Sequence, residues 1–229
     1  MSQLITLDGI VNLNKPAGFS SRAAVNQVQR AAGIRKLKAG HAGTLDPIAQ
    51  GVLVVCLGRS TRLIPYIHEL PKEYIGRFQL GVSSASDDIE SPLEAVENPQ
   101  SLSEEEIRSV LPQFTGKIEQ VPPMFSAVKV NGKRAYTLAR AGKTADLKAK
   151  TIEIHRIDIV EYDYPFLTLR ILCGTGTYVR SLGRDIAKSL GTAAVMDRLS
   201  RTSVGPFGIA TSISPNDLTE GLIGDRLPS

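Results

Sequence analysis

The clearest apolar run in the chain, residues 51–57 (Gly-Val-Leu-Val-Val-Cys-Leu), shows no alternation, the pattern of a strand covered on both faces. Its surroundings are amphipathic. Gly9 to Asn14 reads as a short strand ending at Pro16-Ala17-Gly18. Ser20 or Ser21 then caps a helix whose apolar face includes Val25, Val28 and Ala32 and which Gly33 stops. Tyr74, Phe78 and Leu80 alternate with polar or small residues and predict a half-buried strand, with Tyr74 at its start and able to face a cleft. Ser103 and Glu106 form a capping box ahead of the stripe Ile107, Val110, Leu111 and Phe114, which reads as a structural helix.

Further along, Gln120 to Val130 carries Pro122-Pro123 and meets Asn131-Gly132, a strong hairpin signal, and Tyr136 to Ala141 forms a short helix ending at Gly142. Two long strands are expected near Thr151 to Tyr162 and Phe166 to Cys173. Val179, Leu182, Ile186 and Leu190 then recur at helical spacing until Gly191, with Arg180 in the first turns. Ala194 to Thr202 gives one more strand, and the polar stretch Asp87 to Gln100, with two prolines, an exposed loop. Hairpins rather than regular βαβ units favour an α+β fold, a mixed and largely antiparallel sheet flanked by helices. No internal repeat or linker interrupts it, so one domain over residues 1–229 is expected.

Composition adds limits. A chain of 229 residues that is 42% hydrophobic can build a real core. No stretch nears the ~18 apolar residues of a membrane span, and no leader pattern opens the chain, so a soluble cytoplasmic protein without membrane contact is expected. Cys56 and Cys173 sit far apart in apolar runs, without a Cys-x-x-Cys pair and with only three histidines in the chain, which points to core thiols rather than structural zinc. The net charge of +4 is compatible with a polyanionic partner. Arg30, Arg35, Lys36 and Lys38 form one basic cluster and Lys129, Lys133, Arg134 and Arg140 another; each reads as a solvated face or as phosphate neutralisation.

Candidate chemistry centres on Gly40-His41-Ala42-Gly43-Thr44-Leu45-Asp46-Pro47. The glycines allow close backbone approach, and Pro47 disfavours the α region for Asp46, so the turn aims one acid. On residue type alone that acid is either an Asx-turn or capping residue or a reactive carboxylate.

Four other segments join it in order: Asn14-Lys15-Pro16-Ala17-Gly18; Lys72-Glu73-Tyr74 leading into Leu80-Gly81; Gln120-Val121-Pro122-Pro123-Met124-Phe125-Ser126-Ala127-Val128-Lys129; and Gly176-Thr177-Tyr178-Val179-Arg180-Ser181-Leu182. With Ala49-Gln50-Gly51-Val52-Leu53 extending the Asp46 block, the chain resembles the TruB-type tRNA pseudouridine synthases over roughly residues 9 to 210. The resemblance implies the pseudouridine synthase fold and conversion of the T-loop uridine of tRNA to pseudouridine, without metal, nucleotide or redox cofactor. It implies that Asp46 is the essential acid, that Arg180 pairs with it, and that Tyr74 stacks on the target base and is a candidate for removing the C5 proton. His41 matches the residue that fills the space of the flipped nucleotide, Asp88 an active-site acid, Lys15 a structural lysine near the site, and Lys129 an RNA-backbone contact.

Each has an ordinary reading too: a hydrogen-bonded turn histidine, a strand aromatic, a surface arginine. Two positions depart from the family: Ser84-Ala85-Ser86 replaces the frequent Thr-Asp-Thr, and Thr175 stands where many members carry lysine. The residues after Pro215 are too few for the RNA-binding PUA domain of many members, so a short or truncated form is expected, with T-arm recognition resting on the catalytic domain. The implied partner is tRNA, the protein a monomer with no protein partner. A pseudouridine synthase for another RNA, or an idle RNA-binding or chaperone protein, is the alternative.

Overall fold

A computed structural model describes residues 7–218, apart from residues 35, 97–100, 127, 131 and 141–145. The elements run β1 (Gly9–Lys15), α1 (Ser21–Ala31), β2 (Ala39–His41), β3 (Gln50–Leu57), α2 (Ile64–Glu69), β4 (Lys72–Leu80), β5 (Val82–Ser83), β6 (Glu94–Ala95), α3 (Glu104–Val110), β7 (Gly116–Gln120), β8 (Lys129–Val130), β9 (Lys133–Arg134), α4 (Ala135–Arg140), β10 (Lys150–Asp163), β11 (Phe166–Cys173), α5 (Val179–Ser189), β12 (Ala194–Val204) and β13 (Phe207–Gly208). They divide into two compact units, 1–74 with 200–229 and 75–199, whose boundaries fall inside β4 and β12.

In the first unit β3 is central. Strand β1 pairs antiparallel with it along residues 51–57, so β2 and β12 share the opposite edge: β2 on residues 55–57, and β12, in parallel, on residues 50 and 51. Both faces of β3 are covered. Leu53, Val55 and Leu57 pack with Val25 and Val28 of α1 and with Val11 and Leu13 of β1. Val52, Val54 and Cys56 face Ala42, Ile67 of α2 and Val204 of β12. This is why the run lacks alternation, and burial raises the Cys56 thiol to about 11, so it stays protonated and inert. Helix α1 starts where the serines predict it: the Ser20 side chain accepts from the Ala23 N–H.

In the second unit the ladder runs β12-β4-β11-β10-β7, antiparallel between β11 and β10 and between β10 and β7. Strand β4 alternates strictly, burying Lys72, Tyr74, Gly76, Phe78 and Leu80. Helix α5 buries Val179, Leu182, Ile186 and Ala187, and it touches the sheet at a glycine: a Cβ on Gly183 would lie 2.1 Å from Cε1 of Phe78. The capping box of α3 is present, its Ser103 and Glu106 satisfying each other's backbone N–H groups. The expected hairpin forms as β8 and β9, with Lys129 opposite Arg134; its Asn131, and the expected helix end at Gly142, lie outside the described residues.

One expectation needs correction. Asp87 to Gln100 is not an exposed loop throughout. Its start is tied to β12, with the Met196 N–H donating to the Asp87 carbonyl at 3.0 Å and the Ile89 N–H to the Met196 carbonyl at 3.3 Å, and Asp88 is fully buried. Polar composition cannot separate a solvated acid from one whose partner comes from elsewhere in the sequence. Residues 97–100 lie outside the described residues.

Candidate functional site

The Asp46 turn spans the gap between the two partners of β3's second edge. With β2 ending at His41 and β12 pairing only at residues 50 and 51, the β3 backbone at Val52 and Val54 needs other partners. Val54 accepts the Ala42 N–H at 2.9 Å. Val52 accepts Arg201 Nε at 2.7 Å, and Nη2 of the same guanidinium donates to the Gly43 carbonyl at 3.1 Å. A buried side chain thus stands in for a missing strand. Gly51 is required beside it, because a Cβ there would lie 2.3 Å from the Arg201 carbonyl oxygen.

The remainder of the turn is clamped on both sides of the acid. Ser21, at the start of α1, holds Leu45 twice: its hydroxyl donates to the Leu45 carbonyl at 3.0 Å and accepts the Leu45 N–H at 2.9 Å. Past the acid, the Gly18 N–H donates to the Pro47 carbonyl at 2.8 Å, and the Lys15 ammonium donates to Phe19 at 2.6 Å, Pro16 at 2.9 Å and Pro47 at 3.5 Å. The backbone of Asp46 is therefore fixed while its side chain is only half-buried. Such pre-organisation suits a group that must act without reorganising.

Lys15 belongs to a set. Lys15, Lys72 and Arg201 are all buried, and each donates to backbone carbonyls, Lys72 to those of His68 and Leu70. Each also occurs near a strand end, in phase with inward apolar residues: Lys15 after Val11 and Leu13, Lys72 before Tyr74 and Phe78, Arg201 after Leu199. The burial of Lys72 and Arg201 was not expected from the sequence. A cation in the apolar phase of a strand was the available signal.

His41 ends β2 with its backbone paired to Val55. Its Nδ1 is buried and has no hydrogen-bond partner among the described residues. Burial lowers its pKa first, then the charges of Arg22 and Arg201, with a smaller push from His68, while a hydrogen bond with the Gly43 backbone opposes them. The imidazole is neutral at pH 7.

In the second unit, Arg180 and Asp88 come together: Nη1 of Arg180 is 3.1 Å from Oδ2 of the fully buried Asp88 and 2.8 Å from the Ser86 carbonyl, and Nη2 donates to the Phe125 carbonyl at 3.2 Å. Arg180 is therefore a buried residue of the first helical turn. Around Asp88, the Ser84 hydroxyl donates to its carbonyl at 2.6 Å, the Ser86 hydroxyl lies 2.5 Å from its Oδ1 and 3.2 Å from its carbonyl oxygen, and the Glu90 N–H donates to Oδ1 at 3.0 Å. One turn along α5, Arg184 donates to Asp87 at 2.8 Å, Asp185 at 2.9 Å and the Val121 carbonyl at 3.0 Å. Burial raises the Asp87 pKa, opposed by Arg184 and Arg180 and reinforced by Asp185. Arg184 and Asp87 were also missed; the i, i+4 spacing of Arg180 and Arg184 was the readable hint.

Tyr74 lies in the inward phase of β4, 7% exposed. Lys129 opens β8 of the hairpin. No group of three or more His, Cys, Asp and Glu residues that could hold a metal occurs among the described residues.

Residues 29–179 match the family described as TruB family pseudouridylate synthase (N terminal domain). Relatives named tRNA pseudouridine synthase B include one from Parabacteroides distasonis, 42% identical over 93% of this chain and 92% of its own length. Another, from Phocaeicola vulgatus, is 41% identical with the same coverage, and one from Francisella tularensis subsp. novicida is 40% identical over 94% of this chain and 71% of its own. Among solved structures, a Cbf5-Nop10-Gar1 complex contains a chain similar at TM-score 0.71 and 32% identity, covering 92% of this chain and 53% of that one. The archaeal box H/ACA sRNP Nop10-Cbf5 complex gives TM-score 0.69 and 30% identity, covering 94% and 54%. The chain thus spans about half the length of those solved chains. The expected fold, mostly antiparallel and mixed, is the one found. A family match over more than half the residues, with relatives matched along nearly their whole length, shows that the chain belongs to the TruB family of pseudouridylate synthases, which are isomerases.

Proposed function

We propose that this protein is a tRNA pseudouridine synthase that converts the T-loop uridine to pseudouridine, working as a single catalytic domain and monomer in the cytoplasm. The observation that carries the reading is its end-to-end likeness to relatives named tRNA pseudouridine synthase B. The reaction breaks the N1–C1′ bond of a uridine, turns the base, forms C5–C1′ and moves the C5 proton to N1, so atoms balance with no co-reactant. A carboxylate suffices as reagent, as nucleophile at sugar or base or as base at the sugar. Asp46 takes that role, on a backbone clamped by Ser21, Gly18 and Lys15. Arg180 is assigned to keep Asp46 ionised where water is excluded, and Tyr74 to stack on the base and accept its C5 proton.

A uridine inside a folded RNA arm has to be flipped out, at a cost of a few kcal/mol in stacking. His41 is assigned to the vacated space. A neutral imidazole suits that task, because no charge is desolvated when it enters the stack. Lys129 is assigned to the RNA backbone, and Asp88 and Lys15 to the architecture of the site.

The test is incubation of unmodified tRNA with the protein, followed by mapping of every modified position. Pseudouridine confined to the T-loop is the expected result. Modification of other RNA only would make this an enzyme for a different substrate, and tight tRNA binding without any pseudouridine would make it a binding protein.

A further inference from the structure

Helix α5 carries two arginines one turn apart, and each links the same two segments. Arg180 reaches Ser86 and Asp88 on one side and the Phe125 carbonyl on the other. Arg184 reaches Asp87 on one side and the Val121 carbonyl on the other. The two carbonyls bracket Pro122-Pro123-Met124, whose prolines have no N–H to donate to a ladder. At its start the same stretch is tied to the residue before α5: Gln120 accepts the Tyr178 N–H at 2.8 Å and donates to the Tyr178 carbonyl at 3.1 Å. Asp87 sits at φ 60°, a left-handed backbone that aspartate adopts more readily than most non-glycine residues. Arg184 holds its carboxylate and the Met196 N–H holds its carbonyl.

We infer that Arg184 is a positioning residue for the isomerisation: by joining Asp87 to Val121 it fixes the two segments whose Ser86, Asp88 and Phe125 acceptors set the Arg180 guanidinium. The inference rests on the proposed role of Arg180. Geometry gives the reason. Arg180 makes two hydrogen bonds, to the Ser86 and Phe125 carbonyls at 2.8 and 3.2 Å, and an ion pair with Asp88 at 3.1 Å, and nothing in that set stops the two segments from drifting together with it. A second bridge one turn away turns a pivot into a fixed frame. The Arg184 side chain is partly exposed at 29%, and its hydrogen-bond partners among the described residues, Asp87, Asp185 and Val121, are not assigned to the chemistry, so its effect passes through the frame.

Arg184→Ala, Arg184→Lys, Arg180→Met and the Arg184→Ala/Arg180→Met double variant are compared in single-turnover isomerisation at saturating unmodified tRNA. Arg184→Ala should lower the rate about tenfold or more with tRNA affinity changed less than about threefold. Lysine, which keeps one contact but not the fork, should recover only part of the loss. In the Arg180→Met background the further loss should fall below about twofold, because the frame then has nothing to place. A second measurement needs no substrate: chymotrypsin cleavage after Phe125 in the folded protein, which Arg184→Ala should accelerate about fivefold or more relative to wild type. An unchanged saturating rate, an equal loss in both backgrounds, or unchanged cleavage would overturn the inference. Wild-type protein that leaves tRNA unmodified would instead sink the proposed function, and the cleavage rate would still decide whether Arg184 fixes the segment.

Discussion

The two units each bury an arginine, and they satisfy it in different ways. Arg201, 1% exposed, is held by the carbonyls of Val52 and Gly43, with no carboxylate in ion-pair range among the described residues. Arg180, 4% exposed, faces the carboxylate of Asp88 as well as two carbonyls. A buried cation on carbonyls is a structural bracket: it fills a gap in a ladder and depends on nothing that titrates. A buried cation beside a carboxylate is conditional, because removing either member leaves the other desolvated. The first arrangement suits a turn that must hold still, the second a group that takes part in electrostatics.

The sharpest test of this division is at the acid of the bracketed turn. Asp46→Asn should lower single-turnover isomerisation by ~10,000-fold or more, ~5.4 kcal/mol of barrier, with urea stability and tRNA affinity close to wild type. A variant retaining a tenth of the rate would remove Asp46 from the chemistry. Next in size are the arginines themselves. Arg180→Met should cost ~3–5 kcal/mol in urea unfolding, and Asp88→Asn added to it should restore much of that loss. Arg201→Met should cost ~2–4 kcal/mol through its two stranded carbonyls, and Asp88→Asn should restore none. Equal rescue of both would erase the contrast.

A smaller effect is expected at the clamp. Ser21→Ala leaves the buried N–H and carbonyl of Leu45 without their partner and should cost ~1–3 kcal/mol, read as a shift in urea midpoint. The smallest concerns pH. Burial holds the His41 pKa below its ordinary value, so the unfolded chain binds the proton more readily than the folded one. Stability from this group is full above the unfolded pKa of about 6.5 and is lost as pH falls toward the depressed folded value, with a slope of at most ~1.4 kcal/mol per pH unit. His41→Phe should flatten that slope. An unaltered acid slope would place the responsible titration elsewhere.

Much of this architecture could be read from the chain, and the reasons are local. Ser20, Ser103 with Glu106, and the uninterrupted 51–57 run carry their structural meaning within a few residues, and each became the expected element. Strand β2 was not anticipated, because three residues with glycine in the middle show no period and are strand only through their pairing with β3. The same limit applies to the site. The Asp46 turn announces itself through Gly40, Gly43 and Pro47, whereas the Asp88–Arg180 pair joins positions 92 residues apart (180 − 88) and is invisible to any window. Asp87 escaped for that reason, whereas Arg184 carried a local hint in its i, i+4 spacing from Arg180. Lys72 and Arg201 are different: their phase within otherwise apolar strand faces is legible in the sequence.

The contact between Gly183 and Phe78 works as a depth stop. With only a hydrogen where other residues carry a methyl or more, α5 seats against β4 at a fixed height, and the two arginines lie on either side of that stop in sequence. Adding a single carbon at position 183 would lift the helix by roughly 1 Å, the scale at which a hydrogen bond becomes a gap. Both guanidiniums would rise together, away from acceptors on segments that had not moved. A residue with no polar side chain thereby sets the focal length of the charged cluster.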